Sequence, residues 1–273
     1  MLHGEGYIEE KPKIGLNLDQ VAEDWLANNT TGGFPTFGDP SKGNLNDLLR
    51  SNILRCKYFK VDLYELKTYH EVINEIEIHV GYVEPWTIGT HGVPSTIFCC
   101  LYKLMLMHLS MKQVYGLVKE GNPFTRCCGF LYIRYLCKPE LLYHFLSPYL
   151  VDDQEFQPTP SSEEILTIGE YVERLLSDQN YYTTILPRTP ALIDKEIQKR
   201  LLLLPEKRER RKENLKHINE FKIDDPVYFM DFENNDWKKA TCTAVSPEGI
   251  NIYYQNENGA EIEKLLDLSE VLP

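Results

Sequence analysis

Between Asn122 and Leu136 the chain reads NPFTRCCGFLYIRYL, a stretch that few arrangements can accommodate. Asn122-Pro123 has the chemistry of a helix start, because proline at the first helical position gives up no needed N–H. Phe124, Cys128, Leu131 and Tyr135 then recur at spacings of four, three and four, which is one helical face. Cys127, Phe130, Ile133 and Leu136 cover most of the remaining circumference. A helix apolar nearly all round must be buried, here by other helices and not by lipid, since it is too short to span a bilayer. Arg126 and Arg134 alone interrupt it, about 12 Å apart along the axis and on roughly the same side. Two readings stay open for this pair. They are internal ion-pair partners of Asp or Glu, or they face a groove and clamp the carboxylates of a binding partner, a task suited to bidentate guanidinium.

The 273 residues allow one large domain and a small one, and an apolar content of 42% can fill a sizeable core. The net charge of −12 argues against a surface that coats nucleic acid, which needs a dominant basic field. Seven cysteines include the adjacent pairs Cys99-Cys100 and Cys127-Cys128. Neighbours on a helix point about 100° apart and cannot chelate one ion, and no C-x-x-C spacing occurs, so reduced core thiols in a reducing compartment are expected. No metal and no cofactor are expected. The opening MLHGEGYIEEKPKIG lacks the apolar segment of a signal peptide, and Ile97–Leu109 is too short for a membrane span, so a soluble intracellular protein is expected.

Residues 1–43 read as a loosely ordered segment with a short helix near Leu18–Ala27. Asn44 is positioned to cap a helix over Leu45–Cys56, and Asp62 one over Leu63–Val80. After a loop at 81–94, Ser95 and Ser110 are expected to cap helices over Thr96–Leu109 and Met111–Glu120. The central helix is followed by Pro139–Phe145, an acidic turn at Asp152, Asp153 and Glu155, and helices over Ile165–Leu176 and Pro190–Leu204. Tyr181-Tyr182 and Ile185-Leu186 are expected to plug the core between these last two. From Asp194 to Lys216 nine Lys/Arg and five Asp/Glu mix signs at i, i+3 and i+4, the pattern of a solvated charged helix. Its cluster of Lys207, Arg208, Arg210, Arg211 and Lys212 is also a candidate grip for phosphates.

From residue 220 onward, short β-rich runs alternate with Asn, Gly and Pro turns: Val227–Phe232, Trp237–Val245, Ile250–Gln255 and Ala260–Leu266. Strands of that length and spacing suit a small closed barrel. The pattern DPVYFMDFENNDWKKATCTAV…GINIYY resembles a Tudor-type, SH3-like barrel. The resemblance implies an aromatic cage for methylated Arg or Lys, with Phe232, Trp237 and Tyr254 near cage positions and ordinary core as the alternative. The polar run Gln255–Asn258 stands where a further cage aromatic is usual. Four Lys and twelve Asp or Glu from 220 to 273 give this segment a net of −8, which suits Arg-rich peptides and disfavours nucleic acid.

Three long blocks carry a second resemblance. GFLYIRY is followed by a proline, an amphipathic segment and an acidic turn; residues 57–86 read KYFKVDLYELKTYHEVINEIEIHVGYVEPW; residues 165–190 read ILTIGEYVERLLSDQNYYTTILPRTP. Residues 44–190 thereby resemble the pre-mRNA-splicing factor 38 family, with the second block closer to its B-type branch. The expected fold class is mainly α: a multi-helical domain over 44–190, a charged linker helix over 191–219, and a Tudor-like barrel over 220–273. The resemblance implies a non-enzymatic nuclear spliceosome component. It would scaffold tri-snRNP-associated, microfibrillar-associated-type and zinc-finger splicing proteins during spliceosome activation. Residue patterns alone carry no enzyme motif: no phosphate-binding loop, H-E-x-x-H, G-x-S-x-G or dinucleotide fingerprint occurs. Two alternatives remain at this stage, an RNA-contacting factor using the basic 195–216 arm, and a reader of Arg-rich or methylated Arg peptides.

Overall fold

A computed structural model describes residues 16–29, 32–39, 42–90, 92–231, 236–246, 249–255 and 259–272. Its organising element is the helix at Pro123–Leu136. Asn122 accepts a hydrogen bond from the Thr125 amide at 2.9 Å, Pro123 fills the first helical position, and every side chain from Thr125 to Leu136 is buried. In chain order the described helices are α1 (Leu18–Asn28), α2 (Asp47–Arg55), α3 (Lys57–Lys60), α4 (Asp62–Glu65), α5 (Tyr69–His79) and α6 (Thr96–Met107). There follow α7 (Met111–Lys119), α8 (Pro123–Leu136), α9 (Pro139–Leu146), α10 (Ile168–Ser177), α11 (Ala191–Leu201) and α12 (Leu204–Lys216). Helices α5, α6, α7, α9 and α10 all pack against α8, which explains why it carries no solvent face.

The approach of α7 to α8 is enabled by Gly129. A Cβ there would lie 2.8 Å from Val118 Cγ1 and 3.2 Å from the Leu117 carbonyl carbon, so α7 and α8 meet nearly backbone to backbone. Around this contact Phe98, Phe130, Tyr132 and Tyr135 are fully buried. Tyr132 keeps its hydroxyl satisfied by accepting from the Leu109 amide at 3.1 Å.

Several boundaries differ from those expected. The single helix over Leu63–Val80 is two, α4 and α5, separated by extended Leu66. Thr68 and Glu71 form a capping box, and that local bonding restarts the helix. Asn46, not Asn44, caps α2; Asn44 sits at φ 51° and donates to the carbonyls of Phe37 and Tyr135. Ser95 precedes α6 without capping it through its side chain, whereas Ser110 forms a capping box with Gln113. Tyr181 and Leu186 are core residues, but Tyr182 and Ile185 are 43% and 57% exposed. They lie on a tight hairpin of β3 (Asn180–Tyr181) and β4 (Thr184–Ile185), where alternation sends neighbouring side chains to opposite faces. A second small pair, β1 (Glu155–Phe156) with β2 (Leu166–Thr167), leads into α10.

The packed body also extends beyond 44–190. Leu18, Ala22 and Phe34 from the segment expected to be loose join its core, and Arg200 of α11 donates to Asp19 of α1 at 2.8 Å. Residues 1–15 lie outside the described set. On the other side Ile193, Ile197, Leu201 and Leu204 bury into the same core, so α11 is a member of the bundle and not a spacer.

A five-stranded antiparallel sheet follows: β5 (Pro226–Asp231), β6 (Asp236–Ser246), β7 (Gly249–Gln255), β8 (Glu261–Leu266) and β9 (Val271–Leu272). The order is β8-β7-β6-β5-β9, with a register shift in β6 between Cys242 and Ala244. Among the described residues no ladder joins β8 to β9, so the hydrogen bonding defines a sheet and not a closed barrel. Its core is separate from that of the bundle and is built on Val227, Phe229, Cys242, Ile250, Ile252 and Leu268. Helices take up roughly half of the chain, which makes it a helical body with an appended β segment and not mainly α throughout.

Candidate functional site

Three sets of residues stood out from the sequence, and each has a definite placement. Arg126, in the first half of α8, is 7% exposed. Its Nη2 donates to Asp152 at 2.6 Å, its Nη1 to Gln154 Oε1 at 2.6 Å, and its Nε to the Val118 carbonyl at 2.8 Å. The Phe130 and Tyr149 rings flank the guanidinium at 5.8 Å. All three nitrogens are thus committed within the chain, and the acidic turn is the counter-charge. Of the two readings left open for Arg126, the geometry matches the internal ion pair.

Arg134 is different. Eight residues leave it about 80° around the axis from Arg126, so the two guanidiniums do not form one clamp. At 5% exposed, it donates from Nε to the Leu175 carbonyl at 2.7 Å and from Nη1 to the Pro187 carbonyl at 2.8 Å. Both acceptors are neutral. Burial lowers its pKa from the ordinary arginine value to about 10, against a smaller opposing effect of Asp194. The side chain lines a groove of about 630 Å³ between the C-terminal end of α10 and the N-terminal end of α11. Arg188, Asp178 and Asp194 stand along the same groove. Sequence reasoning singled out Arg134 but missed the groove. The nearest signal was PRTP at 187–190, a proline immediately ahead of a helical run.

Four of the five basic residues of the α12 cluster are engaged by internal partners. Lys207 pairs with Glu270 at 3.1 Å; Arg208 bonds Glu173 at 2.7 Å and the Leu150 carbonyl at 3.1 Å. Arg210 donates to the Ser269 carbonyl at 2.8 Å, and Arg211 lies 3.3 Å from Asp267 and 3.7 Å from Asp153. Lys212 is exposed. On the same helix Asn214, unremarkable in the sequence, is buried and donates to the carbonyls of Leu268 and Val271 at 2.7 and 2.8 Å. The expected solvated spacer is instead a strut whose two sides hold the helical body and the sheet. A phosphate grip by Lys207, Arg208, Arg210 and Arg211 would have to displace these partners.

Trp237 and Tyr254 of the sheet do not come together. Alternation along β6 puts Ala240 and Cys242 on the core face and Trp237 on the other. Tyr254 follows Ile250 and Ile252 onto the core face and meets the Phe229 ring at 4.7 Å. Trp237 and Tyr254 therefore lie on opposite faces, and Phe232 lies outside the described residues. The Trp237 ring is covered by the Arg210 guanidinium at 4.9 Å.

Residues 35–199 match the PRP38 family model, which covers more than half of the chain. The chain belongs to the PRP38 family. It is 37% identical over 192 residues to pre-mRNA-splicing factor 38B of Homo sapiens, a match that covers 63% of this chain and 35% of that protein. It is 45% identical over 154 residues to pre-mRNA splicing factor SR-like 1 of Arabidopsis thaliana, covering 56% of this chain and 39% of that one. Pre-mRNA-splicing factor 38A of Xenopus tropicalis is 24% identical over 160 residues, so the B-type resemblance is the stronger. The chain thus spans about a third of the length of the curated 38B relatives it matches. The fold is similar to a chain in the crystal structure of the Snu23-Prp38-MFAP1(217-258) complex of Chaetomium thermophilum, with a TM-score of 0.53 at 19% identity. That likeness covers 63% of this chain and 88% of the other.

Proposed function

We propose that the chain is a non-enzymatic nuclear component of the spliceosome whose helical body scaffolds protein partners. The observation that carries this reading is the family match over 35–199, the segment that forms most of the bundle around α8. The fold shared with a chain of the Snu23-Prp38-MFAP1(217-258) complex supports splicing-protein partners of the types in that complex. We extend the reading to the family's finer role, assistance in activation of the tri-snRNP-containing assembly. The chemistry of the body agrees with scaffolding. Cys127, Cys128 and Cys137 are buried and their thiols are pushed well above the ordinary range by burial, which suppresses the nucleophilic thiolate. The RNA-grip and methyl-Arg alternatives receive less support, because the side chains each needs are engaged inside the chain.

The test is capture of tagged full-length chain from nuclear extract, with mass spectrometry of bound proteins before and after nuclease. The reading predicts MFAP1-type and Snu23-type proteins retained after nuclease treatment. Retention of RNA-dependent partners alone would overturn it.

A further inference from the structure

We infer that the groove at Arg134 is the seat for a single acidic side chain, Asp or Glu, of a bound protein partner. This rests on the reading of the helical body as a binding hub, and gives that hub a recognition chemistry.

Arg134 is 5% exposed, yet both of its acceptors are backbone carbonyls. Among the described residues no carboxylate lies within ion-pair distance of it, and its Nη2 makes no bond within the chain and opens to the groove. A buried charge is stable only when paired or well hydrogen-bonded, and a carboxylate accepting from Nη2 would complete the shell. Arg126, eight residues earlier on the same helix, makes its third bond to a carboxylate, Asp152, whereas the nearest carboxylate acting on Arg134 is Asp194 across the groove.

A second, independent feature faces the same groove. Helix α11 starts at Ala191 after Pro190, which offers no side-chain cap, and the first-turn amides of Ala191, Leu192 and Ile193 have no side-chain acceptor. Such an end carries a partial positive charge and favours an anion. Arg188, exposed, lines the same groove and adds a second cation.

The size of the anion follows from what opposes it. Asp178 and Asp194 line the same groove and balance Arg134 and Arg188 in formal charge. A phosphate backbone would bring several charges against these two carboxylates. One carboxylate on a polypeptide meets the guanidinium and the amide end while its neighbours rest on Leu176, Pro190 and Ala191. At about 630 Å³ the groove has room for a few residues of such a segment.

The test uses the isotope-labelled full chain and three probes: the peptide Ac-Ala-Leu-Glu-Leu-Ala-amide, its Gln counterpart, and inorganic phosphate. The expected result is saturable shifts of the Arg134 Nε–H and the Ala191, Leu192 and Ile193 amides with the Glu peptide, and at least tenfold weaker binding of the Gln peptide. Arg188→Ala, an exposed position that leaves the fold intact, should weaken the Glu peptide at least threefold. Asp178→Asn should tighten it by removing a competing carboxylate. Equal binding of the Gln peptide, or shifts at these amides with phosphate but not with the Glu peptide, would overturn the inference. If an MFAP1-type segment binds the chain with no change at Arg134 or α11, the hub reading stands and the acidic seat falls. If the Glu peptide binds here but no splicing protein is captured, the seat stands without the hub.

Discussion

The Arg210 guanidinium lies over the Trp237 indole, 4.9 Å from its centroid, and donates to the Ser269 carbonyl at 2.8 Å. One residue of α12 thereby touches two segments of the sheet, β6 and the turn before β9. Together with the bonds of Asn214 to Leu268 and Val271, it fixes the angle at which the helix meets the sheet. A cation–π contact of this kind contributes roughly 0.5–2 kcal/mol. Trp237→Ala should therefore destabilise the sheet by about 1 kcal/mol and speed trypsin cleavage within α12, read by limited proteolysis against the parent. An unchanged cleavage rate would mean that the contact does not hold the helix.

Removing the cation of the α8 ion pair has a larger effect. Arg126→Gln leaves Asp152 without its partner and empties three hydrogen bonds beside buried rings. Breaking one half of a buried pair typically costs about 3–5 kcal/mol, and the partial exposure of Asp152 points to the lower end. Arg126→Lys should rescue only part of this, because an ammonium cannot serve Val118, Gln154 and Asp152 at once. Urea denaturation of both variants checks the order parent, Lys, Gln.

Gly129 tests the packing at the centre. Ala is the better helix former by about 1 kcal/mol, so an exposed glycine-to-alanine change would stabilise. Here the added methyl would press on Val118 and on the Leu117 backbone. Gly129→Ala should therefore lower stability, by about 1–3 kcal/mol, despite the gain in propensity. A higher melting temperature would show that α7 and α8 have room to part.

His144 of α9 should make the fold acid-sensitive. Burial lowers its pKa below 6.5, outweighing the opposing pull of Asp19 and Glu23. The unfolded chain then binds the proton more readily than the folded one. Stability is full above pH 6.5 and declines as pH falls from there through the folded-state pKa. His144→Gln should flatten the pH dependence of the melting temperature over that window, with little change at pH 8.

The legible part of the fold was the part written in local pattern. The Asn122-Pro123 start and the all-round apolar run of α8 define a buried helix without reference to anything else in the chain. The break between α4 and α5 was legible too, since Thr68 and Glu71 spell a capping box, but the amphipathic stripe continuing across it is the louder signal. Alternation along β6 and β7 already separates Trp237 from Tyr254, whereas family likeness draws them into one cage. What sequence could not supply was long-range pairing. Arg126 finds Asp152 and Arg200 finds Asp19 across 26 and 181 residues, and no periodicity encodes such distances. For the same reason the basic face of α12 reads as solvated until Glu173, Asp267 and Glu270 are brought against it.

The role proposed for the helical body is the binding of protein partners. Isothermal titration of the full chain with an MFAP1-type segment, matched to the 217–258 stretch in the related complex, tests it most directly. The account predicts one-to-one saturable binding with a Kd of about 1 μM or tighter, about −8 kcal/mol, persisting in a Trp237→Ala variant because the site is on the bundle. No detectable binding by chain whose circular dichroism confirms the helical fold would contradict it.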